Sequence, residues 1–442
     1  MELNLSKINT SKILSAKKVF FIGIGGIGIS ALAKMCKARG MEASGVNDEE
    51  GKTVDLLKEA GINVTILEIQ KDFAQDYPAT PRHFLQNLAD FIMPDADLYV
   101  YSDAWIYRGP EIIQKAKDTG KPVMSYFEAL GEIAKSYKTI AISGTHGKTT
   151  TTAMVAEILI DAGLNPTVIV GSFIKRLNSN FRKGDSEYLV VEADEYNRHF
   201  LQFHPFIGAI TNIEADHLDC YKDLDDIKSA FNQFLSQSEN KITDYGKYLD
   251  KVPKLKVPGE HNRQNAALAL AITEVFGVRE DIAVQSLANF EGTWRRLEKR
   301  GKTDSGTIVY DDYAHHPTEV RASISALRDI YKDKKIVVIF QPHLYSRTKA
   351  LFDDFAKSFK GADLTIILPI YFAREAKDES VSSGKLAEAV CANGDKAIAF
   401  TDFELAEGYV RGLDLGSNHV LVTMGAGEAY KVADKLFKLV QD

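Results

Sequence analysis

The chain has 442 residues, 45% of them hydrophobic and 26% charged, a balance that fits about three globular domains and excludes a disordered or fibrous protein. A formal net charge of -7 without a basic tract argues against nucleic acid as a partner, and three isolated cysteines, Cys36, Cys220 and Cys391, offer neither a disulfide framework nor a CxxC metal site. No apolar run approaches the roughly 18 residues that cross a bilayer, and the N-terminus lacks the basic-then-apolar order of a secretory signal; no membrane insertion and a cytoplasmic location are expected.

The apolar strand at residues 18–22 runs into Gly23, Gly25, Gly26 and Gly28 and then into a helical stretch at 30–39, which reads as strand, tight turn, helix. Strands at 97–102 and 122–125 follow, divided by an amphipathic helix, and this alternation predicts an α/β fold with a mostly parallel sheet. The cycle restarts with a strand at 138–143, a glycine-containing turn and a helix through Ala162, placing a first boundary near residue 135. Short apolar runs at 187–191 and 206–212 have the composition of strands buried on both faces. A polar, proline-bearing stretch at 236–258 then leads to an alanine-rich helix at 262–276, and residues 292–296 read as a linker. Strands at 307–310, 335–340, 364–370 and 419–423 make a third unit, so three α/β domains are expected, at 1–135, 136–292 and 293–442.

Gly144-Thr-His-Gly-Lys-Thr149 stands after a buried strand and before a helix, where backbone N–H groups and the helix dipole face an anion. It is two residues shorter than GxxxxGK[ST] but keeps Lys148 in place for phosphates and Thr149 for Mg2+. The Gly23–Gly28 motif is weaker evidence. With Asp48 near the end of a second strand it fits a nicotinamide-binding fold, and it fits the diphosphate of another nucleotide equally well. Glu192-Ala-Asp-Glu195 and Asn212-Ile-Glu-Ala-Asp-His217 close two strands of the central domain. With Thr149 their carboxylates can make an oxygen-rich Mg2+ site, and His217 can give a nitrogen to a second ion or orient a carboxylate; N-caps and solvated loop acids are the competing reading. Asp311-Asp-Tyr-Ala-His-His316 and Gln341-Pro-His-Leu-Tyr-Ser-Arg347 end two strands of the third domain with groups that bind or move protons, although a histidine at a helix start can simply cap it. Lys34 and Lys37 read as helix surface.

Together with Pro258-Gly-Glu-His-Asn262 and Met424-Gly-Ala-Gly-Glu428, these segments resemble the Mur ligases of bacterial cell-wall synthesis, in order, from about Val19 to Val432. The His-His-Pro and Gln-Pro-His segments resemble the branches acting on UDP-muramate, and the last segment the alanine-adding branch; a ligase that recycles whole tripeptides shares much of the pattern. The resemblance implies a Rossmann-like N-terminal domain for the UDP-sugar, a P-loop ATPase-like central domain and a Rossmann-like C-terminal domain for the amino acid. The implied reaction is ATP- and Mg2+-dependent amide synthesis from UDP-N-acetylmuramate and L-alanine through an acyl phosphate, with the chain a monomer or a homodimer. Lys148, Glu192 and His217 are implied as catalytic, the last two with Thr149 as metal ligands. ATP is implied at Gly144, Thr145, His146, Gly147, Lys148, Thr149, Thr150, His261, Asn262, Asn265, Arg296 and Asp312. The UDP-sugar falls to Gly23, Gly25, Gly26, Gly28, Asp48 and Ser102, and the amino acid to Tyr313, His315, His343 and Arg347. Departures from the family pattern are Val46-Asn47 where Ser-Asp is common, Leu344 after His343, a shortened 236–258 stretch and Glu428 in place of Asp. Lys228 is the candidate for a carbamate found in sister enzymes.

A nicotinamide oxidoreductase and a P-loop switch NTPase are the rival classes. The first has no use for Lys148 and Thr149, and the second none for the third-domain histidines. Because the residues implied for ATP are divided between the second and third domains, the resemblance also implies domain closure during turnover.

Overall fold

The computed structural model describes residues 11–67, 91–372 and 375–440. The first sheet contains β1 (Lys18–Ile22), β2 (Glu42–Asn47), β3 (Asn63–Ile66), β4 (Leu98–Tyr101) and β5 (Val123–Ser125) in the order β3-β2-β1-β4-β5. Every pairing is parallel. The chain steps outward from β1 to β3 and returns to the other side of β1 as β4, so the strand order reverses directly below the Gly23 turn. That is where an open α/β sheet leaves its crevice.

The second sheet contains β6 (Lys138–Ser143), β7 (Thr167–Ile174), β8 (Ser179–Arg182), β9 (Tyr188–Glu192), β10 (Ile207–Ile210) and β11 (Asn240–Ile242), ordered β11-β10-β6-β9-β7-β8. Its parallel strands carry the apolar runs of the sequence, whereas β7 and β8 pair antiparallel across an irregularity between Ile169 and Ile174. Residue 135, the expected first boundary, lies between the helix Tyr126–Ala134 and β6. The helix Lys148–Asp161 is buried at every position from Thr149 to Leu159, which explains why its sequence shows little polar-apolar alternation.

The third sheet contains β12 (Glu298–Lys302), β13 (Ile308–Asp312), β14 (Lys335–Phe340), β15 (Leu364–Ile367), β16 (Ala397–Ala399) and β17 (His419–Met424), ordered β12-β13-β17-β14-β15-β16. It is parallel apart from the edge strand β12. Apolar clusters cover both faces, one built around Ile324, Phe340 and Phe355 and the other around Ile339, Leu421 and Val432. The apolar run at 364–370 leaves its strand after Ile367, earlier than the sequence suggests.

Two compact units result. One holds the chain up to Glu214 with Asp223–Tyr248 and Ala267–Ser286; the other holds Ala215–Lys222, Leu249–Ala266 and the chain from Leu287 onward. Within the first unit the helix Ile27–Ala38 packs against β7 and β8. Asn180 fastens it, donating to Ile27 O at 2.6 Å and Ser30 Oγ at 2.9 Å and accepting from Lys34 Nζ at 3.0 Å. Lys34 is therefore a half-buried packing residue and not plain helix surface; burial lowers its pKa, an effect partly offset by Glu59.

Residues 292–296 are likewise not an exposed linker. Arg295 is 5% exposed with φ 56°, and its guanidinium meets Asp311 Oδ2 at 2.8 Å, Gly425 O at 2.7 Å and Gly427 O at 3.2 Å. The chain end of β13 and the glycine loop after β17 are tied to one cation. Removing it leaves Asp311 buried without its partner, so Arg295→Ala should destabilise the second unit by about 3 to 5 kcal/mol. Urea unfolding checks this, and Arg295→Lys, which cannot fork to both glycine carbonyls, should recover only part of the loss.

Candidate active site

At the first glycine turn, Gly23 (φ +79°) and Ile24 both donate to Val46 O, at 2.9 and 3.0 Å. The Trp105 indole lies so close that a Cβ on Gly23 would meet its Cδ1 at 2.3 Å, so only glycine fits. Gly25 N–H donates to Asn47 Oδ1 at 3.1 Å, and Asn47 Nδ2 donates to Glu49 O at 2.8 Å. That second bond needs a donor, which aspartate lacks, so the departure from the family pattern at residue 47 is a structural stitch. Gly26 opens the helix Ile27–Ala38, Gly28 packs against Tyr126, and Ser102 follows β4, its N–H bonded to Ile22 O at 2.9 Å. Asp48 is engaged by Arg108 at 2.9 Å, an ion pair that the sequence reading did not anticipate.

In the second sheet β6 lies between β10 and β9, so the loops leaving those two strands flank the phosphate loop. Gly144 has φ +135°, and a Cβ there would sit 1.9 Å from Thr211 Oγ1. Gly147 (φ +83°) is the last residue before the helix. Asn212 clamps the loop, its Oδ1 accepting from His146 N–H and its Nδ2 donating to His146 O, both at 3.0 Å. Thr145 Oγ1 accepts from Glu214 N–H at 2.9 Å. Asn212 stood within a recognised motif, but its pairing with the loop follows from strand order and not from spacing.

Lys148 Nζ lies 2.6 Å from Gly144 O and 2.8 Å from the nearer Glu195 oxygen, and that carboxylate is 3% exposed. Burial alone would lower the lysine's pKa, but Glu195, Asp194 and Glu192 outweigh it and hold the ammonium above its ordinary value. Thr149 Oγ1 donates to Glu192 Oε2 at 3.0 Å, and Gly171 N–H donates to Glu192 Oε1 at 2.5 Å. Lys148, Thr149 and Glu192 are thus assembled with Glu195, which the sequence grouped with candidate Mg2+ carboxylates and which here pairs with the lysine. Thr150 is buried one residue further along the helix. His217 belongs to the second unit and has φ +54°; its N–H donates to Asp216 Oδ1 at 2.7 Å. Lys228 lies on the helix Leu224–Ser236, half-exposed beside Asp225 at 3.5 Å.

In the second unit Asn262 is 5% exposed at the start of the helix Glu260–Glu274, donating to Pro258 O at 2.6 Å and accepting from Asn265 at 3.3 Å. His261 packs over Gly259, whose φ of +102° suits glycine. Asp312 is buried and accepts from Ser323. Tyr313 lies under the Arg296 guanidinium at 5.0 Å, and His343 stacks on Tyr371 at 5.4 Å. His316 caps the helix Pro317–Ile330 together with Glu319, the structural role weighed for one of the paired histidines.

Arg347 was expected to be open to an incoming carboxylate. In the structure its fork holds Asp216, with Nε 3.1 Å from Oδ1 and Nη2 3.5 Å from Oδ2, both side chains 7% exposed. Arg347 Nη1 also donates to His343 Nδ1 at 3.3 Å. Burial alone would raise the Asp216 pKa, yet Arg347 and the neighbouring histidines hold it below the usual carboxylate range. The sequence groups Asp216 with candidate Mg2+ carboxylates; its pairing with Arg347 is what sequence reasoning missed, because the partner is 131 positions away.

A glycine loop followed by a lysine paired with a buried carboxylate, at the carboxyl ends of parallel strands and with a threonine–carboxylate pair beside it, defines a P-loop nucleotide-dependent enzyme. Family models match in series: the Mur ligase family catalytic domain over residues 18–138, the Mur ligase middle domain over 142–249 and the Mur ligase glutamate ligase domain over 295–427. The chain belongs to the Mur ligase family. It is 35% identical to the UDP-N-acetylmuramate--L-alanine ligase of Clostridium kluyveri over 467 residues, covering 95% of this chain and 97% of that protein. It is also 35% identical to the enzyme of that name from Sulfurihydrogenibium sp., covering 96% and 98%. The solved UDP-N-acetylmuramate-alanine ligase of Thermotoga maritima matches with a TM-score of 0.76 at 26% identity, covering 95% and 98% of the two chains. A murein peptide ligase from Psychrobacter arcticus shares the fold, at a TM-score of 0.67 and 21% identity.

Burial pushes the His315 pKa down to about 4, partly countered by Glu319, and its Nδ1 donates to Tyr313 O at 2.9 Å, leaving Nε2 as an acceptor at neutral pH. A folded value below the unfolded one means that its share of stability is complete above 6.5 and is lost as pH falls toward about 4. Asp312, raised to about 6 by burial, acts in the opposite sense: its share is present below 3.8 and lost as pH rises through about 6. His315→Gln should therefore flatten the acid side of the stability profile. The wild-type urea midpoint is expected to fall further than the variant's between about pH 7 and about pH 5; equal falls would contradict the neutral-imidazole assignment.

Proposed function

We propose that this chain joins L-alanine to the lactyl carboxylate of UDP-N-acetylmuramate at the expense of ATP, in peptidoglycan synthesis. The observation that carries the chemistry is the Lys148 ammonium, held charged by the buried Glu195 carboxylate beside a loop whose Gly144 leaves no room for a side chain. The full-length relatives named above carry the substrate choice, alanine over a tripeptide.

The loop fits a polyphosphate on its own geometry, since Gly144 and Gly147 adopt positive φ and the helix start that follows presents N–H groups. The Thr149 hydroxyl and Glu192 carboxylate are hard oxygen donors 3.0 Å apart, the chemistry that Mg2+ selects. Mg2+ held there would neutralise part of the phosphate charge. Lys148 would exchange carbonyl and carboxylate contacts for the β and γ phosphates, stabilising charge as the lactyl carboxylate attacks the γ-phosphorus and ADP departs. The alanine amine then forms the C–N bond, and phosphate leaves from the tetrahedral carbon. His315, uncharged at neutral pH, is suited to accept a proton that the amine releases. The first glycine turn, without a lysine, would bind the UDP diphosphate through backbone N–H groups.

Phosphate release measured with UDP-N-acetylmuramate, ATP and Mg2+ should depend on the sugar nucleotide and on L-alanine together. Lys148→Ala should lower that rate at least a hundredfold, because one preorganised charge is worth about 3 kcal/mol or more in such a transition state. Calorimetry should show UDP-N-acetylmuramate still bound by the variant; loss of that binding with ATP binding intact would refute the assignment of the two nucleotides.

A further inference from the structure

An ammonium group has three N–H donors, and on Lys148 the chain itself occupies all of them: Gly144 O at 2.6 Å, Thr145 O at 3.3 Å and Glu195 Oε1 at 2.9 Å. A phosphate reaches this lysine only if one acceptor gives way. The two carbonyls are fixed, because Asn212 clamps their loop through Thr145 N–H at 3.0 Å and through the N–H and carbonyl of His146. The movable partner is the Glu195 side chain. Its carboxylate is 3% exposed, so once it releases the lysine it has neither an ammonium nor bulk water beside it. Glu192 and Asp194 add negative charge to the same cradle. A nucleotide arriving with only its own phosphates therefore meets a surplus of anions, whereas one arriving with a divalent cation brings the charge that the freed carboxylate lacks.

We propose that Glu195 is a displaceable plug on the phosphate loop, and that it makes the loop select a nucleotide polyphosphate loaded with a divalent cation over the same nucleotide without one. The assignment rests on the ligase reading above, in which ATP lies at Lys148. Discrimination of this kind works by penalising the wrong form. Thr149 and Glu192 offer oxygen donors to a cation, which favours the loaded nucleotide but does nothing against the free one. An uncovered lysine would attract ATP, ADP and inorganic phosphate with or without metal. With Glu195 in place, any anion must first strand a buried carboxylate, and only a ligand carrying its own cation removes that cost.

The test measures ATP binding to the full chain by calorimetry, once with Mg2+ and once with EDTA. Glu195→Gln should tighten metal-free ATP about fivefold or more and change Mg2+-loaded ATP by less than about threefold, so that the preference for the loaded form shrinks. Glu195→Asp, which keeps the charge, should keep most of that preference. Equal weakening of both forms by Glu195→Gln would reduce Glu195 to a support for the lysine and overturn the proposal, as would an unchanged metal-free affinity. If Glu195→Gln does not fold, Lys148→Ala decides. While the plug covers the lysine, metal-free ATP draws nothing from it, so Lys148→Ala should weaken Mg2+-loaded ATP about tenfold or more and metal-free ATP less than about threefold. Comparable losses for the two forms overturn the assignment. The ligase reading fails separately: a wild-type chain that binds ATP in the expected pattern but shows no alanine-dependent phosphate release supports the plug and sinks that reading.

Discussion

A lysine ammonium largely withdrawn from water and pressed against a buried carboxylate is the constraint around which the first unit is arranged. Lys148 opens the helix that follows the glycine loop after β6, and carboxylates at the end of β9 and in the loop beyond it hold it charged against the cost of burial. Strand order supplies them: with β9 on one side of β6 and β10 on the other, Glu195 arrives from one loop and Asn212 from the other. Asn212 fixes the glycine loop's backbone, and Glu195 fixes the lysine within it. A polyphosphate entering the loop replaces contacts already made and does not have to organise the site, the condition under which fixed charges contribute most to phosphoryl transfer.

The two glycine turns of the first unit are alike in sequence and differ in the side chains around them. The turn after β1 is lined by Trp105 and Asn47, one forbidding a side chain on Gly23 and the other fixing the N–H of Gly25. It has close backbone approach but no lysine. The turn after β6 adds Lys148 and Thr149, and with them the means to meet transferring charge. The division of labour proposed for them rests on which side chain comes next after the glycines.

Much of this was legible in the residues. Buried apolar runs identified most parallel strands, and the Gly-Lys-Thr pattern lies where it was read, between a strand and a helix. Failures came where pairing partners lie far apart in sequence. Residues 292–296 look like a linker because glycine and arginine are usually solvated; they are buried because Asp311 and two glycine carbonyls converge on Arg295. Lys34 looks like helix surface because its receptor, Asn180, lies in the next sheet. Arg347 looked free because Asp216, which holds it, stands in a motif of another segment read for metal binding. The strands β7 and β8 pair antiparallel within an otherwise parallel sheet, an arrangement that apolar runs alone do not distinguish.

The chemistry attributed to this arrangement, activation of a carboxylate by phosphorylation before amide formation, leaves an atomic trace. UDP-N-acetylmuramate labelled with oxygen-18 in its lactyl carboxylate can be turned over with ATP, Mg2+ and L-alanine, and the released phosphate weighed by mass spectrometry. Formation of the acyl phosphate predicts one carboxylate oxygen in every phosphate released. Unlabelled phosphate, with both labelled oxygens retained in the sugar nucleotide, would mean that Lys148 and its loop hydrolyse ATP without phosphorylating the substrate, and would contradict the account at its base.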